Sequence, residues 1–304
     1  MLVTLLMAAG FIFPQDHAPH EDVLKEWWYF SGILADSQGN SYSYCFINFH
    51  FPASQTEVHV FSMVNLGTGE TVFRKTRAFP MLVPESPSLT LDIKTEEGYL
   101  KAIGEDAFSF GLMDTGFSIS LDVRALKPPA SHGNEGSVFL IGEEPSWYYS
   151  YTRMASSGRM IVGAETLFLR GDAWMDHQWG ESETGGRYAW FSFRFEDTTE
   201  MMLWQFRDED RSFGTYIDRN GEVSRIKKFK AEPLGDYWIA GDSTGRCPLS
   251  WHISVPDPDI DLTTEAIVRD QFFRMIRGPL IWEGACRITK GNKRGYCFLE
   301  MVGY

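Results

Sequence analysis

Trp174-Met175-Asp176-His177-Gln178-Trp179-Gly180 is the stretch on which the reading of this chain turns. When it is extended, its side chains alternate. Trp174, Asp176 and Gln178 then share one face, while His177 and Trp179 share the other. Outward from it in both directions, short alternating runs are broken by Gly, Pro, Asn and Asp, which is the signature of strands. Strands are predicted over 27–34, 41–51, 57–65 and 118–124, and again over 189–195, 201–207, 214–218, 282–289 and 296–303. Turn signals stand between them at Asp36-Ser37-Gln38-Gly39-Asn40, Gly67-Thr68-Gly69, Asp218-Arg219-Asn220-Gly221 and Gly291-Asn292. A weak helical period is confined to 263–276. The pattern predicts an all-β chain built from barrels or sandwiches.

With 304 residues, 43% of them hydrophobic, the chain can bury one large β domain or two ordinary ones. The best boundary is the polar, Gly-containing stretch 181–186, giving an apolar leader at 1–13 and domains at 14–182 and 183–304. The stretch 127–136, with Pro128-Pro129, reads as an excursion within the first half. The leader lacks a basic n-region and is too short to cross a bilayer, so no stable membrane insertion is expected. A cytoplasmic location follows, or a secreted or periplasmic one if the leader is the remnant of a signal peptide. A net charge of −13 and a pI near 5.0 leave no basic stripe for nucleic acid or an anionic membrane. Lys227, Lys228 and Lys230 form the densest basic run and read as solvated. Aromatics at 15% favour strands and supply walls for an apolar ligand.

None of Cys45, Cys247, Cys286 and Cys297 has the spacing of a structural zinc site. Cys286 and Cys297 lie symmetrically about Gly291-Asn292, a dipeptide suited to a two-residue hairpin, and would face each other across two strands. That geometry admits a disulfide; two buried thiols are the preferred reading.

His177 beside Trp179, projecting into a hollow apolar barrel, could donate a proton to an alkene or position a water. The indole could stabilise the resulting carbocation by about 2 kcal/mol when desolvated. Asp176 completes the candidate catalytic set, although its opposite face suits an anchor at the domain junction. The competing reading makes the whole block a structural latch. Candidate ligand contacts are Glu26 and Trp28 on one strand, Tyr44, Asn48 and His50 on the next, Tyr149, Tyr151 and Arg153 sharing a third face, and Trp174 and Trp204. A carboxylate among indoles, as at Glu26, would have its pKa raised; a solvent-facing or salt-bridged Glu26 is the plainer reading. Arg153 fits a domain tie better than a ligand clamp. Asp16, His17 and His20, joined by His177, could suggest a metal, but the spacing is loose and none is expected. No cofactor fingerprint and no nucleophile elbow is present.

Three segments carry a resemblance. They are Phe13-Pro14-Gln15-Asp16-His17 with His20 and Glu26-Trp27-Trp28-Tyr29; Tyr149-Ser150-Tyr151-Thr152-Arg153; and the 174–180 block, the most specific of them. With Trp282-Glu283-Gly284 and the final Gly303-Tyr304, they make the chain, from about Phe13 onward, resemble the carotenoid hydratase and AttH-type family of lipocalin-like proteins, which includes hydroxyneurosporene synthase. The resemblance implies two consecutive calycin-type barrels with a ligand site near their junction. It also implies hydration of isolated double bonds or, in related proteins, steered cyclisation including Diels–Alder reactions. Family hydratases carry an acidic residue near a tyrosine on the strand after the 174–180 block. Here 201–207 offers Trp204 and Phe206, which argues against a carotenoid substrate. Two functions remain open. One is an enzyme promoting water addition or ring closure on a hydrophobic polyene, isoprenoid or polyketide. The other is a non-catalytic carrier of such a molecule. A scaffold for another protein is a weaker third reading, and the sequence leaves the oligomeric state undetermined. The enzyme is preferred because His177 and Trp179 are a costly pair to keep for packing alone.

Overall fold

A computed structural model describes residues 6–8, 10–82, 90–140, 144–181, 186–206, 211–239, 245–276 and 279–304. Leu6–Ala8 pairs separately with Phe11–Phe13, and two curled antiparallel sheets hold most of the described residues. In the first, Lys25–Asp36 is followed on one side by Ser41–Phe51, Thr56–Asn65 and Thr71–Pro80. On its other side lie Glu165–Gly180, Ser146–Val162, Phe117–Ala125, Ala107–Asp114, Gly98–Gly104 and Asp92–Lys94. In the second sheet, Tyr188–Phe195 is flanked by Glu200–Phe206 and by Gly295–Val302, which leads on to Leu280–Gly291, Ile260–Ala266, Arg246–Val255 and Lys230–Ile239. Both sheets thus share one device: the last long strand returns to pair with the first.

The predicted strands all form, each within two residues of the expected ends, the last residue of 201–207 lying outside the described residues. The predicted turn at Asp36 is built as its residues suggest. The Asp36 carboxylate accepts from the backbone N–H groups of Gln38 and Asn40, and Gly39 supplies a φ of +88°. Strands that were not predicted lie both inside the sheets, as Ala107–Asp114, Ser146–Val162 and Arg246–Val255 do, and at their edges. Thr71–Pro80, with Arg74, Lys75 and Arg77, and Lys230–Ile239, with Pro233, carry the charges and proline that protect an open edge from further pairing.

Several expectations are corrected. The helical period at 263–276 is instead the end of Ile260–Ala266 and the short strand Phe272–Arg274, both paired with Leu280–Gly291; its β-branched and aromatic residues fit a pleated surface. No α-helix occurs among the described residues, so none there is long and apolar enough to cross a membrane. Cys286 and Cys297 are opposed as expected and remain free, buried thiols. Gly291-Asn292 is not a two-residue turn, because Ile288, Lys290 and Gly291 leave that hairpin to pair with Leu262–Thr264. Phe11 and Phe13, assigned to a leader, are core residues of the first sheet. The boundary at 181–186 falls largely outside the described residues.

The concave interior of the first sheet is filled rather than hollow. Phe46 stacks on Phe110 at 4.9 Å, Phe30 tilts against the same ring at 4.7 Å, and Met154 and Leu100 close the space beside them. Burying each such side chain contributes roughly 1.5–3 kcal/mol. The second sheet has its own core around Phe191, Phe193 and Trp251. A third apolar cluster joins the outer faces of the two sheets, with Tyr29, Tyr148 and Trp174 meeting Trp190, Trp204 and Phe298. Polar ties cross the same junction. Arg194 donates to the Ser31 carbonyl at 3.0 Å, and Tyr29 donates to Glu283 at 2.7 Å.

Candidate active site

Register turns the alternation of the 174–180 block into two rows across the first sheet. Tyr149, His177, Trp28 and Asn48 lie abreast on the concave side, and Ser150, Asp176, Tyr29 and Ile47 on the junction side. The structure therefore separates the three residues expected to act together. His177 and Trp179 lie in one environment and Asp176 in another.

On the concave side, His177 is fully buried. Its ring stacks on Trp28 at 4.6 Å, and Tyr149 meets it edge-on. Glu26 is equally buried, and of the two plainer readings it is salt-bridged rather than solvent-facing. Its Oε1 accepts from His177 Nε2 at 2.6 Å and from His20 Nδ1 at 2.7 Å, and its Oε2 accepts from the His20 backbone N–H at 2.7 Å. Burial favours the neutral acid, but the bonds to the two histidines outweigh it and hold the Glu26 carboxyl below its ordinary range. Burial likewise lowers His177, whereas the bonds from His20 to Asp16 and Glu26 overcome burial and raise that imidazole to about 9. The group is thus an ion pair between Glu26 and His20, with a neutral His177 donating from Nε2. The Tyr149 hydroxyl satisfies His177 Nδ1 at 2.9 Å and also touches His17 Nδ1 at 2.6 Å. Tyr151 bonds Asp106, and the second pair of that wall, Asn48 and His50, both bond Glu57. Tyr44 lies in the same packed interior. None of these residues lines the cavity described next.

That cavity, of about 310 Å³, lies between the two sheets. The first sheet contributes Trp27, Tyr29, Phe49, Tyr148, Asp176 and Gln178. The second contributes Tyr188, Trp190, Trp204, Ile281 and Glu300. Asp176 is the polar centre of one wall. Its Oδ1 accepts from Trp174 Nε1 at 2.6 Å and from the Ser150 hydroxyl; Ser150 in turn bonds His132 Nε2 at 2.7 Å, and His132 Nδ1 bonds Thr215 of the second sheet at 2.9 Å. Burial among rings pushes the Asp176 carboxyl up to about 7 despite these donors. The Tyr148 hydroxyl is a further hydrogen-bond partner of this carboxyl. Opposite, Glu300 is paired across strands with Glu283; burial raises both carboxyls, and Tyr188 and Tyr29 donate to them. The Gln178 amide in the first sheet's wall and the Trp204 indole N–H in the second's are buried with no protein hydrogen-bond partner.

Of the other expected ligand contacts, Trp174 supports Asp176 from behind, and Arg153 departs from the face of Tyr149 and Tyr151. A bulge between Tyr151 and Met154 places Met154 in the core, while Arg153 bonds Glu200 and the Phe195 carbonyl of the second sheet, a tie between the sheets. Ser150, Gln178 and Glu283 stood in the quoted motifs with no site role assigned, and His132, Tyr188 and Glu300 went unrecognised in the sequence. The one available signal was a glutamate set between apolar neighbours on a strand, as in Leu299-Glu300-Met301.

The sequence matches the AttH-like family over residues 6–304. No curated protein sequence matches it. Among solved structures, an AttH protein of Nitrosomonas europaea superposes with a TM-score of 0.86 at 20% identity, with 100% of both chains covered. Kievitone hydratase of Nectria haematococca superposes with a TM-score of 0.80 at 18% identity, covering 98% of this chain and 93% of its own. At these identities the likeness is one of fold.

Proposed function

From the premise that the chain belongs to the AttH-like family, we propose that it is a hydratase that adds water across a carbon–carbon double bond of a compact lipophilic substrate held between the two sheets. The observation that carries this reading is Asp176, a carboxylic acid raised to about 7 in the wall of an aromatic cavity. The fold neighbour named as a hydratase points to the same reaction type. In the step proposed, Asp176 gives its proton to one alkene carbon, using the π electrons to form the C–H bond. The other carbon becomes a cation facing Trp27, Tyr148 and Trp190, whose ring faces attract it. Water adds to that carbon, and the proton it sheds restores the acid at Asp176. A cavity of about 310 Å³ is at the small end of ligand sites. It suits an isoprenoid or polyketide fragment better than a long polyene. Gln178 and Trp204 would meet an oxygen function on the substrate.

The test incubates a panel of prenylated and terpenoid alkenes with the protein in heavy-oxygen water. Wild type should place the label in an alcohol, and Asp176→Asn should not, while both quench tryptophan fluorescence on binding. A ring-closed product without label would mean that the same acid promotes cyclisation. Alkene that binds wild type and is recovered unchanged after long incubation would make the protein a carrier.

A further inference from the structure

We propose that His20, Glu26 and His177 form a site for one divalent transition-metal ion, zinc by preference, that fastens the segment before the first sheet to the seam between that sheet's first and last strands. The three donor atoms lie within 4.8 Å of one another. They come from three places: His20 from the loop leading into the sheet, Glu26 from Lys25–Asp36, and His177 from Glu165–Gly180. Two imidazoles and a carboxylate make a donor set that zinc takes with a fourth position left for water.

The arrangement has what such a site requires beyond its donors. Each imidazole is held flat by an indole, His177 by Trp28 at 4.6 Å and His20 by Trp179 at 4.2 Å, so both rings aim at the same carboxylate oxygen. The far nitrogen of each ring has its own partner: the Tyr149 hydroxyl 2.9 Å from His177 Nδ1, and Asp16 at 3.7 Å from His20 Nε2. Such outer partners fix ring orientation and raise ligand basicity. Glu26 keeps Oε2 on the His20 backbone N–H, leaving Oε1 for the ion. Zinc bonds of about 2.0–2.2 Å put tetrahedral donors roughly 3.3 Å apart. The hydrogen bonds at 2.6 and 2.7 Å therefore have to open by less than 1 Å and the two imidazole nitrogens, within 4.8 Å of each other, to close by up to about 1.5 Å, movements that a loop-borne His20 permits. His20 is 25% exposed at its side chain, and this is the route in. Binding shifts His177 to the tautomer that donates from Nδ1 to Tyr149 and displaces a proton from His20.

The sequence reading had set a metal aside because Asp16, His17 and His20 are loosely spaced. The fold replaces His17, whose ring faces Tyr149 and Phe13, with Glu26 from a strand. This site is on the concave side and independent of the chemistry assigned to Asp176.

The test strips the full-length protein with a chelator and titrates it with zinc and with cobalt(II) by calorimetry and visible absorption. Saturation at one equivalent, cobalt bands of tetrahedral strength, proton release to buffer and a raised thermal midpoint are expected. His20→Ala, a loop substitution that should leave the fold intact, and Glu26→Gln should each abolish the one-equivalent isotherm. Tyr149→Phe should weaken it by about 10–100-fold, as for other outer partners. Titration without saturation would overturn the proposal. So would binding that survives His20→Ala but is lost in His252→Ala, whose imidazole meets Asp261 and Glu232 at the surface.

Discussion

On the concave side of Glu165–Gly180, rings from one curled sheet converge, interlock and leave His177 wrapped by Trp28, Trp179 and Tyr149. One residue away on the same strand, Asp176 and Gln178 face a space about 310 Å³ in size, although the junction is no poorer in aromatics. The difference is one of curvature. Side chains on the inner face of a curl point toward one another and reach crystal-like packing. Those on two outer faces meet only where the convex surfaces touch, so a wedge stays open beside the line of contact. Aromatic content therefore does not mark a ligand site. The side of the sheet on which the rings stand decides whether they fill a space or line one.

The largest effect that could break this contrast is on stability. Trp28→Ala, which removes a fully buried indole, should cost about 3–5 kcal/mol and lower the denaturation midpoint, while folded protein still binds ligand at the junction. His177→Ala should behave in the same direction, leaving Glu26 short of a partner. If either variant kept its denaturation midpoint and lost only turnover, the concave side would be the working pocket and the two faces would have to exchange roles.

Much of this was legible in the sequence. Alternation at 174–180 assigned each side chain to its correct face, and Cys286 opposite Cys297 set a correct register across the second sheet. That the inward set would be packed solid and the outward set would line a cavity was not legible, because period-two reading sorts residues into two sets without saying how full the space before each set is. Arg153 was given its correct role, a tie between the two halves, but the wrong face, because one bulge breaks the alternation that a strand reading assumes. The cluster of Glu26 with His20, and the line from Asp176 through Ser150 and His132 to Thr215, join residues distant along the chain. Only closure of each sheet by its last strand, and the docking of one sheet on the other, bring them together.

A second way to sharpen the contrast uses pH, because each face carries a raised group with its own window. Asp176 stands at about 7 in the folded chain against an ordinary 3.8, so its stabilising contribution is complete below pH 3.8 and is lost as pH rises through 7. His20 stands at about 9 against an ordinary 6.5, so its contribution is complete below pH 6.5 and is lost as pH rises through 9. Denaturation of wild type minus Asp176→Asn should fall across the lower window, and wild type minus His20→Gln across the upper. Turnover, which needs the acid form of Asp176, should decline above pH 7 in wild type and in His20→Gln alike. A decline that moved with His20 would tie the chemistry to the concave side.

The smallest effect is the most pointed, because its two readouts move in opposite directions. Gln178 is fully buried, lines the cavity and has no protein partner for either end of its amide. An unsatisfied buried amide costs roughly 1–3 kcal/mol, so Gln178→Leu should leave the denaturation midpoint unchanged or raise it. The same substitution removes the group proposed to meet an oxygen on the substrate. One hydrogen bond is worth about 0.5–1.5 kcal/mol, so affinity for an oxygenated alkene should fall by up to about tenfold, while affinity for its hydrocarbon analogue holds. Buried polar groups that weaken the fold and are retained at a cavity wall are what a binding surface requires and a packed core does not. Equal losses for both ligands would reduce Gln178 to a filler and leave Asp176 as the wall's one chemical feature.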